Sequence, residues 1–235
     1  MEAVATIRAM ARYPVKSMRR EELNATSLTL QGLPEDRRYA FVQAASRSAF
    51  PWLTGRELQA MLRYRPYVDQ GPPPRVWVVT PQEETLAVES EELRRGLETR
   101  SGRPLFLLRD HRGNYDAAAV SLISAQTTTR IAEESGTSPE PWRFRPNLLV
   151  ELNDHRAFGE IDWVGRILRV GDHARVAVTE PDKRCVMITF DPATSAARPE
   201  VLRCVARQHR GVAGVYGTVL TPGDIRVGDP IFVEG

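Results

Sequence analysis

A chain of 235 residues, 42% of them hydrophobic, can bury a substantial core as one domain or as two small packed ones. Its 32 basic and 30 acidic side chains leave a formal charge of +2, which argues against strong non-specific nucleic-acid binding despite a pI of 8.7. Two cysteines argue against a secreted disulfide framework and for a reducing cytoplasm, and no segment reads as a signal peptide or a membrane span.

In chain order, residues 3–12 read as an opening strand that the Tyr13-Pro14 pair ends, aiming Lys16 and Ser17 from a loop. Short strands are expected at 23–30 and 38–43, around a Gly32-Leu-Pro34 turn. The stiff Pro72-Pro-Pro74 connection separates residues 64–69 from a β-rich segment at 76–79, and residues 80–88 suit a hairpin. Ser90 can cap a short helix with Leu93 and Leu97 among its apolar positions; Pro104 stops it ahead of a strand at 105–108.

A second helix is predicted from the Ser124 cap to residue 135, ended by Gly136, with Ile131 and Ala132 on one face. The loop at 137–141 then delivers Arg143-Phe-Arg-Pro-Asn147 into an apolar strand at 148–152. Gly171-Asp172 is a turn dipeptide between strands at 166–170 and 174–178. Pro199 opens a third helix to about residue 209, where Gly211 ends it; Cys204 shares its apolar face with Val201 and Val205 and reads as structural. Many short strands with few long helices predict a mainly β, α+β protein built from barrels, in preference to a doubly wound sheet.

The segment Lys183-Arg-Cys-Val-Met-Ile-Thr-Phe-Asp-Pro192 carries the clearest chemistry. Cationic neighbours favour a thiolate, the form that attacks electrophiles or ligates metals, and Cys185 directly follows Lys183 and Arg184. A free cysteine is equally a common core residue, and Val186, Met187 and Ile188 read as the start of a buried strand. Taken alone, the cysteine favours the packing reading. Lys16 and Arg37 divide in the same way, between ordinary solvation or a surface ion pair and the recognition of an anion. Arg145 and Asn147 also fit a loop-to-strand junction in which the amide satisfies backbone groups. His111, His155, His173 and His209 make no zinc-type spacing with the cysteines, so no structural zinc is expected.

The run from Glu180-Pro-Asp-Lys-Arg-Cys185 through Asp191-Pro192, with Gly223-Asp-Ile-Arg-Val-Gly-Asp-Pro230, resembles the MOSC domain, named for the C-terminal part of molybdenum-cofactor sulfurases. Tyr13-Pro-Val-Lys-Ser17 and Asp36-Arg-Arg-Tyr-Ala-Phe-Val42 resemble the β-barrel module that precedes it, and Arg145-Pro-Asn147 falls between them in the family's order. The resemblance implies a MOSC-type β-barrel packed on an N-terminal β-barrel module, divided as residues 1–100 and 101–235. It implies a molybdenum cofactor (Mo-molybdopterin) with Cys185 as the protein ligand to the metal, as in the branch containing the mitochondrial amidoxime-reducing component. Lys16, Ser17, Arg37, Arg145 and Asn147 match positions around the pterin and its phosphate, and Lys183 and Arg184 would line the same cleft.

Asp116 is a catalytic candidate by motif position, and a turn role suits it as well. The implied activity is reduction of small N-hydroxylated substrates, amidoximes or hydroxylamines, to amidines or amines. The alternative is a non-catalytic cofactor carrier or sulfur-transfer module using the same cysteine. No iron–sulfur domain follows Val233, so a separate electron-donor protein is expected, with no nucleic-acid or membrane partner. The chain departs from the family where Ala117 and Ala118 replace frequent hydroxyl residues, Ala119 replaces a frequent proline, and Lys183 stands at a position that is often Ser or Thr.

Overall fold

The computed structural model describes residues 2–234. Along them run β1 (Ala5–Arg12), β2 (Glu21–Leu23), β3 (Ala25–Leu28), β4 (Tyr39–Gln43), β5 (Arg65–Asp69), β6 (Arg75–Val79) and β7 (Thr85–Ala87), then α1 (Glu91–Ser101), β8 (Leu105–Arg109) and β9 (Val120–Ser124). The remainder comprises α2 (Ala125–Ser135), β10 (Leu148–Leu152), β11 (Ile167–Val170), β12 (Ala174–Lys183), α3 (Pro199–Gln208), β13 (Val212–Thr221), β14 (Gly223–Arg226) and β15 (Pro230–Glu234).

Strands with one apolar face must bury it, and seven of them do so by closing on themselves. The order is β10-β9-β13-β12-β11-β15-β1, and β1 pairs with β10 to shut the barrel. Ile7, Leu122, Val150, Leu168, Val176, Val215 and Ile231 fill its interior. β1 crosses the expected division at residue 100, sealing a barrel whose other strands all lie beyond residue 119. β9 and β10 run parallel, which requires a crossover, and α2 lies within it.

A second core gathers Tyr39, Phe41, Met61, Val76, Val78, Leu93, Leu97 and Leu105 from the β4–β8 pair, the β5–β6–β7 sheet and α1. This is the mainly β, α+β architecture expected, a MOSC-type barrel beside an N-terminal barrel module. The helix punctuation is local. Ser90 accepts from the Leu93 N–H and Ser124 from the Thr127 N–H, while Gly102 and Gly136 end their helices at φ +67° and +65°.

Three elements differ from expectation. Residues 23–30 form no single strand: β2 pairs with β1 and β3 with β14, so the chain changes partner between them. β12 outruns its predicted end by five residues, because two register shifts let Pro181 sit in a strand. The segment after Cys185 is a 3-10 turn, Val186–Thr189, and not a buried strand. The last β12–β13 pair is Lys183–Val212, so beyond it no neighbouring strand offers its backbone, and three apolar residues alone do not choose between strand and helix. Among the described residues no helix is long and apolar enough to cross a membrane.

Candidate functional site

The two long strands β12 and β13 set up the site. An unbroken strand would send residues 180, 182 and 184 to one face and 181, 183 and 185 to the other. Register shifts between Val178 and Glu180 and between Pro181 and Lys183 break that alternation. All six residues from Glu180 to Cys185 consequently line one cleft of about 300 Å³.

The opposite wall comes from loops. Lys16 and Ser17 follow β1, Arg37 precedes β4, Asp116 precedes β9, and Arg145 precedes β10. Ser17, Arg37 and Arg145 have left-handed backbones, at φ +67°, +51° and +55°. That conformation is strained for residues with a Cβ, and such strain concentrates where side chains must be aimed.

Seven cationic side chains face three carboxyls in this cleft. Lys16 is buried and donates from Nζ to the Asn114 carbonyl and to Asp116 Oδ1, both at 2.7 Å. Arg37 Nη1 lies 2.5 Å from Asp36 Oδ2, and its Nη2 donates to the Arg145 carbonyl at 3.1 Å. Arg145 Nη1 donates to the Met18 carbonyl at 2.7 Å. Both guanidiniums lie against the buried Tyr13 ring, at 4.7 and 4.2 Å from its centroid. Burial pushes Arg145 down to about 10, and the neighbouring Arg37 adds to the effect. Packing like charges this way costs energy that an anion between them would return.

Asn147 is 1% exposed and lies behind the cleft wall, outside its lining. Its amide donates to the Ala11 carbonyl at 3.2 Å and to Asp36 Oδ2 at 3.1 Å, and accepts from the Ser121 N–H at 3.0 Å. It holds Asp36, which in turn holds Arg37. Arg184 lines the cleft; its Nε and Nη1 donate to the Ala213 and Phe144 carbonyls, both at 2.7 Å, Nη1 is ion-paired with Asp182 at 2.8 Å, and Nη2 has no hydrogen-bond partner among the described residues. Lys183 is exposed at the cleft's edge.

Asp116 loses some solvent at the wall, but Lys16, with Arg37 and Arg145 behind it, outweighs this and holds its carboxyl below the usual range. Asp182 behaves oppositely. Only 2% exposed, it is pushed up to about 6 by burial, against the pull of Arg184 and the Tyr216 hydroxyl.

Cys185 is half-buried and lines the cleft, and Arg56 Nη2 donates to its Sγ at 3.4 Å. Arg56 arrives on a loop of the N-terminal half that lies so close to the turn after Cys185 that a Cβ on Gly55 would come within 2.8 Å of Met187 Cε. Neither Arg56 nor Asp182 was among the expected site residues. A Gly-Arg pair in a loop has no distinguishing pattern, and Asp182 was legible only as part of the block around the cysteine.

Comparison with known proteins places the chain in a family. The MOSC N-terminal beta barrel domain matches residues 4–121, and the MOSC domain matches residues 109–232. The chain belongs to the MOSC family. MOSC domains are associated in general with the molybdenum cofactor. The YUAD protein from Bacillus subtilis superposes on this MOSC protein with a TM-score of 0.52 at 12% identity, covering 97% of this chain and 94% of that one, which shows a shared fold. YiiM from Geobacillus stearothermophilus matches at 22% identity and a TM-score of 0.39, over 50% of this chain and 54% of that one. No curated protein matches the sequence.

The donor set suits such a cofactor. One accessible sulfur is a soft ligand, and half-buried arginines beside a buried lysine offer planar forks and a point charge for a phosphate. Of the family departures, Ala117 lines the cleft, and the Ala119 carbonyl roofs Gly32 (φ +89°) so closely that a Cβ there would stand 2.6 Å away.

Proposed function

We propose that this MOSC protein binds the molybdenum cofactor in the cleft, with Cys185 as metal ligand, and reduces N-hydroxylated compounds to amidines or amines with electrons from a separate protein. The supporting observation is convergence: the Cys185 sulfur, buried Lys16 and half-buried Arg37 and Arg145 face the same space of about 300 Å³. Ligand pockets are commonly this size or larger.

When bound, the cofactor supplies a redox metal able to take oxygen from an N–O bond. The chain's own residues do the rest. Arg37 and Arg145, fixed on Tyr13, hold the phosphate, and Lys16 adds a third charge from its seat on Asp116. Reduction of an N-hydroxyl group consumes two electrons and two protons and releases one water. Asp116 is kept ionised by Lys16 and serves as that lysine's anchor; Asp182, close to neutral pH in its affinity for a proton, is the carboxyl suited to hold one at the wall.

The test is elemental analysis of protein made in a cofactor-competent host, followed by turnover of an amidoxime with an artificial electron donor. Near-stoichiometric molybdenum is expected in the natural chain, with a strong loss in Cys185→Ser and turnover only in the former. Metal without turnover would support the carrier reading, and no metal in either protein would overturn the reductase proposal.

A further inference from the structure

Outside the cleft, α2 and α3 bring together three side chains of different chemistry. Glu134 comes from α2, Cys204 from α3, and His209 from the residue that caps α3. Their ligand atoms all lie within 4.8 Å of one another, and none of the three residues lines the Cys185 cleft. We propose that Glu134, Cys204 and His209 form a binding site for one divalent cation of the zinc class.

Two of the three separations can be set against a tetrahedral site, and the third, Cys204 to His209, lies within 4.8 Å. Cys204 Sγ stands 3.6 Å from Glu134 Oε2. Sulfur and oxygen bound tetrahedrally to one zinc would be about 3.5 Å apart, given metal–ligand lengths of about 2.3 and 2.0 Å. Glu134 Oε2 and His209 Nε2, now 2.5 Å apart, would have to open by somewhat less than about 1 Å for both to reach the metal. Glu134 is the member able to move, because its side chain is 23% exposed while Cys204 is 6% exposed on a packed helix face. The imidazole plane is already set: His209 stacks on Phe158 with centroids 4.0 Å apart and an interplanar angle of 22°. Arg130 lies 4.0 Å from Glu134 Oε1, while Cys204 and His209 contact Oε2.

Charge points the same way. A thiolate, a carboxylate and a neutral imidazole sum to the charge that one divalent cation cancels, and sulfur, nitrogen and oxygen together suit zinc with one position left for water. Burial and the adjacent Glu134 carboxylate push the Cys204 thiol up to about 11, so without a cation it keeps its proton; a metal would displace that proton. A plain Glu–His ion pair accounts for the 2.5 Å contact but not for a buried thiol directed at the same oxygen.

Cobalt(II) is the probe, titrated into metal-free, cofactor-free full-length protein. One equivalent should produce a thiolate-to-cobalt charge-transfer band and the intense visible bands of a tetrahedral site, and zinc(II) should displace them. Cys204→Ser should abolish the charge-transfer band, Glu134→Gln should weaken cobalt affinity at least about tenfold, and Cys185→Ser should leave both unchanged. If Cys204→Ser does not fold, Glu134→Gln at its half-buried position carries the comparison, with its melting temperature as the check on folding. No band in the natural chain, or a band lost with Cys185→Ser and kept in Cys204→Ser, would overturn the proposal. These readouts are independent of any molybdenum chemistry.

Discussion

Asp182 shows how one residue's surroundings decide its chemistry. It faces Arg184 and Tyr216 and shares the cleft with Asp116 and Arg37, yet burial dominates and raises its affinity for a proton. A carboxyl whose folded-state value lies above its unfolded one stabilises the fold fully below about pH 4, and that contribution fades as pH rises through about 6. Relative to Asp182→Asn, the natural chain should therefore lose roughly 2–3 kcal/mol between pH 4 and pH 7, measured by denaturant unfolding at each pH. A pH-independent difference would contradict the assignment. At the same scale, the sequence identified Asn147 as either a pterin contact or a junction. Its amide is spent on Ala11, Asp36 and Ser121, which makes it the brace of Arg37.

At the level of elements, helix boundaries were legible because they are written within one turn. Ser90 and Ser124 cap, Gly102 and Gly136 terminate, and Pro199 starts α3. The bulges of β12 were not legible, since a register shift exists only relative to β13. β13 contributes its own fixed point: Gly214 has φ +81°, and a Cβ there would stand 2.6 Å from the Leu122 carbonyl and 3.1 Å from Arg184 Nη2. Gly214→Ala should destabilise the fold by roughly 2 kcal/mol or more, read as a lower denaturant midpoint, through left-handed strain and contact with β9. It should also displace Arg184 and lower cofactor content.

On the scale of the whole molecule, the cleft belongs to neither half. Lys16, Ser17, Arg37 and Arg56 come from the N-terminal side, and Cys185 from the end of a barrel strand. A ligand held by both sides stabilises the folded state by mass action, about 2.7 kcal/mol at one hundred times its dissociation constant. Cofactor-loaded protein should accordingly melt higher than cofactor-free protein, and Cys185→Ser should show no such increment under the same expression conditions. Equal melting temperatures for loaded and empty protein would mean that the cofactor does not bridge the two sides.

The amino-acid sequence by itself determined the strand-rich character, the three helices with their start and stop signals, and the blocks that mark the MOSC family, because periodicity, capping and turn chemistry act over a few residues. Only the tertiary structure decided that β1 closes the barrel, that Arg56 reaches Cys185 across 129 positions, and that Glu134, Cys204 and His209 meet. Such contacts depend on strand register and helix packing between distant segments, and no local pattern encodes them.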